Sequence, residues 1–438
     1  MGALKLHTLK QKLWAIVAAS FVARMIVFFT LPDSSTQLAP DEATYSSLIK
    51  WVGESKPARE FPGFGEGLYL SGRVIFIPAV SLFRLGLDEV SSIRLISTLY
   101  GLCSLVMVVV LVLKLYIHYS KLTKSFIPAI NEQIIVGLVS IFAFVPSHFV
   151  WSNLGLKESA TEFWILASFV SFFYLYHYRV GLSALGILAL VLSIAFTFNA
   201  RGQVGWVIAV SLILYLLFNL KKVITYFMIA LVLCGVLLGN VLSTSTTSTS
   251  TATSTSTATD FGNLLNPLTN AGEVISYKHE VNQVDAASKI ETQSCPRETP
   301  SVVSTPSTKF DTYFCIAWRS PYMVSTFLFR PILGIDVTST ASLVAAIENI
   351  FWLTLFVMVF VLAIKRRAIS ILTPILPTLI FFVLYVLGAS AYQGNMGTGF
   401  RHKSLILWVV LLLIFALAWR KTESSKESKG NNSQESAV

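Results

Sequence analysis

Long apolar runs recur along this chain, and they constrain its fold more than any other feature. A helix needs about 20 apolar residues to cross a bilayer. Runs close to that length cover residues 13–31, 95–117, 134–151, 160–178, 181–198, 203–219, 223–242, 341–364, 369–390 and 404–419. Hydrophobic residues make up 54% of the 438 residues and charged residues 13%, which is far from the composition of a soluble domain. The sequence predicts an all-α polytopic membrane protein with about ten transmembrane helices.

Basic residues between the runs predict the orientation. Lys5, Lys10 and Lys12 precede the first run, so the positive-inside rule places the N-terminus in the cytoplasm. The later basic clusters, at 114–124, 179, 221–222, 365–367 and 420–421, then also face inward. This holds if residues 68–87, which carry charge and a proline, form an interfacial helix on the outer side instead of a span. We therefore expect a multi-pass protein of the bacterial plasma membrane with both termini cytoplasmic, and the net charge of +10 does not indicate nucleic acid.

The same topology divides the chain into modules. An N-terminal transmembrane module covers 1–242 and includes a first outer loop, 32–94. A second outer loop, 243–340, begins with a linker at 243–259 that contains only Ser, Thr and Ala and cannot bury enough apolar surface to order itself. A C-terminal transmembrane module, 341–420, precedes a disordered cytoplasmic tail, 421–438. Cys295 and Cys315 share the second loop, where an oxidising compartment would permit a disulfide, although their spacing leaves the bond open.

An adjacent carboxylate pair stands directly after the first span. In LAPDEATYS, residues 38–46, Asp41 and Glu42 follow Pro40. An Asp at a membrane surface suits a general base that takes a proton from an attacking hydroxyl. Two alternatives stay open: the pair coordinates a divalent metal ion, the one cofactor the sequence suggests, or Asp41 caps a helix that begins at Glu42.

Cations collect at the outward ends of the predicted spans. They are Arg94, Lys157, Arg201 and Arg401, and the last is followed by His402. Charged side chains at helix ends commonly reach toward the interface without a catalytic role. However, short outer loops should be poor in Lys and Arg, and each of the three short ones here contains at least one. Such a set suits an anion, and the anion expected at that depth is the phosphate of a lipid carrier.

Four motifs together resemble the bacterial members of the GT-C glycosyltransferases, in particular the protein mannosyltransferase group (family 39-like). They are Asp41-Glu42 with Tyr45, SSIRLIS at 91–97, FVPSHFVWSNLGLKES at 144–159 and GNMGTGFRHK at 394–403. The resemblance covers the first span to about residue 202, and from about residue 327 to the C-terminus. It implies an integral membrane enzyme that moves a sugar from a polyprenyl-phosphate carrier to a glycan, lipid or protein acceptor on the outer side.

The resemblance also implies roles for single residues. Asp41 maps onto the general base with Glu42 as its companion, and Lys157, Arg201, Arg401 and Arg94 map onto ligands of the carrier phosphate. By their position alone, four further residues are candidates for the site: Glu158, Tyr45, His402 and Asn395.

Two other function classes stay open. A polymerase or ligase of lipid-linked glycans would also need basic residues on the outer side, but would be expected to use arginines in large loops more than an acidic pair after the first span. A transporter or flippase would place ionisable residues inside the spans. The predicted spans are nearly free of charged residues near their middle, and Arg24 and Glu348 are the nearest exceptions. Transport therefore ranks behind transfer.

Overall fold

The computed structural model describes residues 2–31, 40–62, 65–122, 132–178, 184–218, 223–244, 309–337, 340–366, 369–392 and 396–419. Within these ranges the chain is almost entirely helical and has no strand. The helices are α1 (Gly2–Thr30), α2 (Pro40–Gly53), α3 (Gly65–Ser71), α4 (Arg73–Arg84), α5 (Glu89–Leu122), α6 (Glu132–Phe144), α7 (Pro146–Asn153), α8 (Glu158–Tyr178), α9 (Ala184–Ala200), α10 (Gly202–Leu217), α11 (Val223–Thr244), α12 (Lys309–Phe329), α13 (Thr340–Arg366), α14 (Leu376–Tyr392), α15 (Met396–Ser404) and α16 (Leu407–Ala418), with 3-10 turns at Ala58–Glu60 and Ile369–Ile375.

Several helices are long and apolar enough to cross a membrane, as a multi-pass protein requires. Within the described residues there are five by length and composition: Leu6–Thr30, Glu89–Lys121, Ser342–Lys365, Leu372–Ala391 and Gly399–Ala418. The bent pair α6 and α7 makes a sixth if it is one span. Shorter apolar helices cover Ala184–Ala200, Gly202–Leu217 and Thr225–Gly239. The runs that predict spans at 181–198 and 203–219 thus form helices of 17 and 16 residues, about 25 Å long against a hydrocarbon core of about 30 Å.

The core of the bundle lies around α5 and α16. Ten of the twelve residues of α16 are buried, as expected for a helix that is apolar on every side. Helix α5 packs against α1, α4, α7 and α8, while α8, α9, α10 and α11 pack in succession. Aromatic contacts join the two halves of the chain, since Phe169 of α8 lies 5.3 Å from Phe381 and 5.5 Å from Trp408 between ring centroids.

Proline breaks the apolar run at 134–151 into α6 and α7. Val145 is extended (ψ 134°) before Pro146, because the proline ring disfavours the α conformation in the residue that precedes it. The two helices meet at an angle of 41°. The second helix ends at Asn153, and Leu154 is again extended. As a result the chain turns sharply between 153 and 158, where two predicted site residues lie.

The predicted first outer loop is itself helical where it is described. Residues 68–87, predicted as one interfacial helix, form the end of α3 and the whole of α4, with a break at Gly72, and residues 85–87 lie in the turn after α4. One face of α4 is buried, with Ile75 and Phe76 inaccessible, whereas Ile77 is 52% exposed. Helices α2 and α4 pack on each other and on the first turns of α5. They form a second apolar cluster that supports the carboxylate pair.

Candidate active site

Asp41 and Arg401 form an ion pair between two helices that are distant in sequence. Helix α2 begins at Pro40, a favourable residue for a first helical turn, so Asp41 lies inside that turn, where a negative charge complements the helix dipole. Its Oδ2 accepts a hydrogen bond from Nη1 of Arg401 at 2.7 Å. The Asp41 side chain remains 48% exposed, while that of Arg401 is 17% exposed. The pair therefore lies at an accessible edge of the bundle.

Glu42, the neighbour of Asp41, has the opposite environment. It is fully buried, and its carboxylate receives Nε of Arg94 at 2.8 Å and Nη2 at 3.1 Å. The backbone N–H of Gly155 donates to the same Oε1 at 2.8 Å. Arg94 in turn donates to the carbonyl of Leu31 at 3.2 Å. Glu42 and Arg94 thus fasten α2, α5 and the turn after α7 together, and their charges neutralise each other.

The turn after α7 needs a glycine at position 155. A Cβ atom added there would lie 2.4 Å from Cγ2 of Ile93 and 3.2 Å from Oε1 of Glu42. The close approach lets the Gly155 amide reach the buried carboxylate. It also fixes the start of α8, so that Lys157 and Glu158 lie next to the ion pair.

Arg201 holds two of the other predicted site residues. It lies between α9 and α10 in an extended conformation, and its Nη2 donates to Oε1 of Glu158 at 2.7 Å. Its Nη1 contacts Nε2 of the buried His402. Because a guanidinium only donates hydrogen bonds, Nε2 of His402 accepts, and the imidazole is neutral with its proton on Nδ1.

Electrostatic interactions join Lys157 and Tyr45 to these pairs. Burial, followed by the charge of Arg201, lowers the pKa of Lys157 to about 8. Burial and the charges of Glu158 and Asp41 raise the pKa of the Tyr45 hydroxyl. Burial alone would raise the pKa of Glu158, but Arg201, Arg401 and Lys157 outweigh it and hold that pKa below its usual value.

We call these seven residues the polar centre: Asp41, Tyr45, Lys157, Glu158, Arg201, Arg401 and His402. Three cations face two carboxylates in it, while His402 is neutral. One positive charge is therefore in excess, which favours an anionic ligand. Every one of these positions was predicted as a site residue from the sequence.

A second group of buried polar residues comprises Arg24, which the sequence marks only as a charge within a span, and His148 and Glu162, which sequence reasoning missed. Arg24 is inaccessible, and its Nε donates to Oγ of Ser152 at 3.2 Å. Nδ1 of His148 lies 2.7 Å from Oε2 of Glu162, and both residues are buried. Glu162 follows Glu158 by four residues, so the two carboxylates share a face of α8. That spacing is the one signal in the sequence that indicates Glu162.

The remaining predictions fall partly outside the described residues. Asn395 and Cys295 lie there, as does the side chain of Cys315, so the proposed disulfide stays a prediction. In the described part of the chain no group of three or more His, Cys, Asp or Glu residues is placed to hold a metal ion. Both oxygens of Glu42 are already bonded. The alternative that Asp41 and Glu42 coordinate a divalent metal ion stays a prediction, and it would require Glu42 to exchange one of these bonds.

Comparisons of the chain with protein-family models, with curated proteins and with solved structures gave no match. The geometry of the polar centre and the helical, apolar fold are consequently the observations from which a function is inferred.

Proposed function

We propose that this chain is a membrane glycosyltransferase of the GT-C type, which moves a sugar from a polyprenyl-phosphate carrier to an acceptor hydroxyl at the outer face of a bacterial plasma membrane. The observation that carries the proposal is the contact between Asp41 and Arg401 within a polar centre of excess positive charge. It supplies a candidate base and a candidate phosphate ligand side by side. In this proposal the shorter apolar helices and α8 complete the ten spans, with local thinning or tilt compensating their length.

The cations of the polar centre suit the carrier phosphate. Arg401 is partly exposed, and Lys157 is neither fully buried nor fully exposed. An arginine can bind two phosphate oxygens at once through its planar fork, and a lysine adds a mobile charge. Arg201 is held by Glu158 and His402, so it contributes mainly charge. Arg94 is not part of the proposed phosphate site because it neutralises Glu42.

The ion pair also suggests how the base is activated. While Arg401 binds Asp41, Oδ2 of the carboxylate is occupied by the hydrogen bond from Nη1 of Arg401. When the donor phosphate takes over Arg401, Oδ2 of Asp41 becomes free to accept a proton from the acceptor hydroxyl. The acceptor oxygen then attacks the anomeric carbon, the bond from that carbon to the phosphate oxygen breaks, and polyprenyl phosphate leaves stabilised by Arg401 and Lys157. A single displacement of this kind inverts the anomeric configuration.

Transport of a lipid-linked sugar is a second candidate function, and one observation favours it. Arg24, His148 and Glu162 are buried inside helices, which is the placement expected of ionisable residues on a transport pathway. Transfer ranks first because Asp41 is accessible beside an anion site, whereas these three residues are closed off from solvent.

The test is release of polyprenyl phosphate from radiolabelled polyprenyl-phosphate sugars by the purified protein. Wild type should turn over at least one donor, and Asp41→Asn should lose turnover while it stays folded. Glu89→Gln is the matched control, since Glu89 is another carboxylate near α2 and forms a long ion pair, at 3.4 Å, with the exposed Lys50. Equal turnover in Asp41→Asn would remove the base role. No turnover by wild type with any donor, together with donor movement across vesicles, would replace transfer by transport.

A further inference from the structure

Three successive residues of the short helix α15 contact three different parts of the chain. Arg401 reaches Asp41 of α2, and His402 reaches Arg201 at the start of α10. Lys403, the third, points away from the polar centre and is completely buried. The first two contacts belong to the proposed site, whereas the third has no role in the mechanism given above.

Lys403 uses all three of its ammonium hydrogens. Its Nζ donates to the carbonyl of Leu328 at 3.0 Å, to that of Arg330 at 3.3 Å and to Oδ1 of Asn349. Asn349 on α13 in turn donates through Nδ2 to the carbonyl of Pro331 at 2.7 Å. The ammonium group therefore satisfies carbonyls at the C-terminal end of α12, which the helix itself leaves without partners.

The turn after α12, which Lys403 contacts, contains an ion pair. Arg330 donates through Nε to Oδ2 of Asp336 at 3.0 Å, and the backbone N–H of Ile332 donates to the same oxygen at 2.7 Å. The turn from 330 to 337 is thus a bonded unit. It ends the predicted second outer loop and leads into α13. Through Lys403 this unit is attached to α15.

We infer that Lys403 is a positioning residue: by fastening α15 to the end of α12 and to Asn349, it holds Arg401 opposite Asp41. The inference rests on the proposed function, because it concerns the same ion pair, and it adds a link from the end of the predicted second outer loop to the phosphate ligand. A lysine that is hydrogen-bonded to three acceptors fixes both the rotation of a short helix about its axis and its position along that axis. Arg401 lies only two residues away, so a shift of α15 moves it directly.

The placement of α15 can be measured without any activity. Cysteines at positions 41 and 401, in a background where Cys103, Cys234, Cys295 and Cys315 are replaced by serine, are joined by a short bifunctional thiol reagent. The ion pair is absent from this variant, so the rate reports where the backbone of α15 lies relative to α2. Adding Lys403→Met, which keeps the length of the side chain but removes its donors, should slow crosslinking by about tenfold, since reaction rates between fixed groups depend steeply on geometry.

Tyr385→Phe is the matched control. It removes one hydrogen bond to the same helix, from the Tyr385 hydroxyl to the carbonyl of His402 at 3.1 Å, and preserves the ring. Its crosslinking rate should stay near that of the parent. If Lys403→Met does not fold, Asn349→Ala removes one of the three acceptors and should slow crosslinking in the same direction by a smaller factor. An unchanged rate in the lysine variant, or equal slowing in the tyrosine control, overturns the inference.

Turnover then separates this inference from the proposed function. In the enzyme with its natural cysteines, Lys403→Met should lower kcat by about 10²-fold, as expected for a misplaced ligand. The same change in an Arg401→Gln background should cost little more, because both variants act through one side chain. Additive losses overturn the positioning role. Absence of turnover in wild type counts against the proposed function alone, and the crosslinking rates still decide the role of Lys403.

Discussion

The carboxylate of Asp41 lies 2.7 Å from the guanidinium of Arg401, although 360 residues separate them in sequence. A phosphate that binds Arg401 must displace Asp41, and Oδ2 of Asp41 can accept a hydrogen bond from an acceptor hydroxyl only after it has left Arg401. Donor binding and base activation are therefore expected to be coupled at this pair.

Asp41→Asn should separate binding from chemistry. Turnover should fall by about 10²- to 10⁴-fold, the usual contribution of a general base. The affinity for polyprenyl phosphate should rise, because Arg401 no longer has to leave a charged partner. Binding of the radiolabelled carrier to the purified protein in lipid nanodiscs measures this. Weaker binding in the variant would show that Asp41 helps to hold the donor, for example through a metal ion.

Arg401→Gln should weaken carrier binding about 10- to 100-fold, which corresponds to about 1.5–3 kcal/mol for a hydrogen bond to a charged group. Arg401→Lys should lie between this variant and wild type, since a lysine keeps the charge but not the planar fork. Arg84→Gln is the control, because Arg84 is an exposed arginine whose bonds to the described residues go to backbone carbonyls of α2. If all three variants bind alike, Arg401 is not a phosphate ligand.

Glu42→Gln should act on stability more than on chemistry. Its charge neutralises Arg94 in a buried pair, and the loss of one partner from such a pair costs about 3–5 kcal/mol. Glu89→Gln breaks an exposed pair, and its cost should stay below about 1 kcal/mol. Thermal unfolding in detergent compares the two. Equal midpoints would mean that Glu42 and Arg94 do not anchor α2.

Lys157 should make carrier binding depend on pH. Its pKa is lowered to about 8, so it loses its charge as the pH rises through that value. A bound phosphate favours the charged ammonium, and binding above pH 8 must therefore take up a proton. Affinity should fall above pH 8 by up to tenfold for each pH unit. Lys157→Met should show weaker binding with a flat profile over this range, and an unchanged profile in that variant would assign the titration to another group.

Much of the fold can be predicted from the sequence because apolar runs and the charges between them are local features. The positions of Lys157, Arg201 and Arg401 are visible as charges at the ends of those runs. The different environments of Asp41 and Glu42 are not visible, because adjacent residues on a helix point about 100° apart and the packing of α2 decides which one is buried. The Arg94 partner of Glu42 is 52 residues away.

Helix lengths were less predictable than helix positions. The run at 95–117 belongs to a helix that begins at Glu89, because Asp88 accepts the backbone N–H groups of Val90 and Ser91 at 3.0 and 2.8 Å. The polar first turns of α5 lower the hydropathy that defines a span. His148 and Glu162 were hidden for a related reason, since single polar residues within apolar runs carry little weight in a hydropathy pattern.

Arg401, His402 and Lys403 each contact a different segment, and this imposes a strict register on α15. A one-residue deletion between 396 and 400 would rotate the three side chains together by about 100° and shift them by about 1.5 Å. All three contacts would be lost in a single step, whereas a substitution at any one position leaves the other two. Homologues of this chain should therefore vary in the length of neighbouring loops but keep the number of residues from 396 to 404 unchanged.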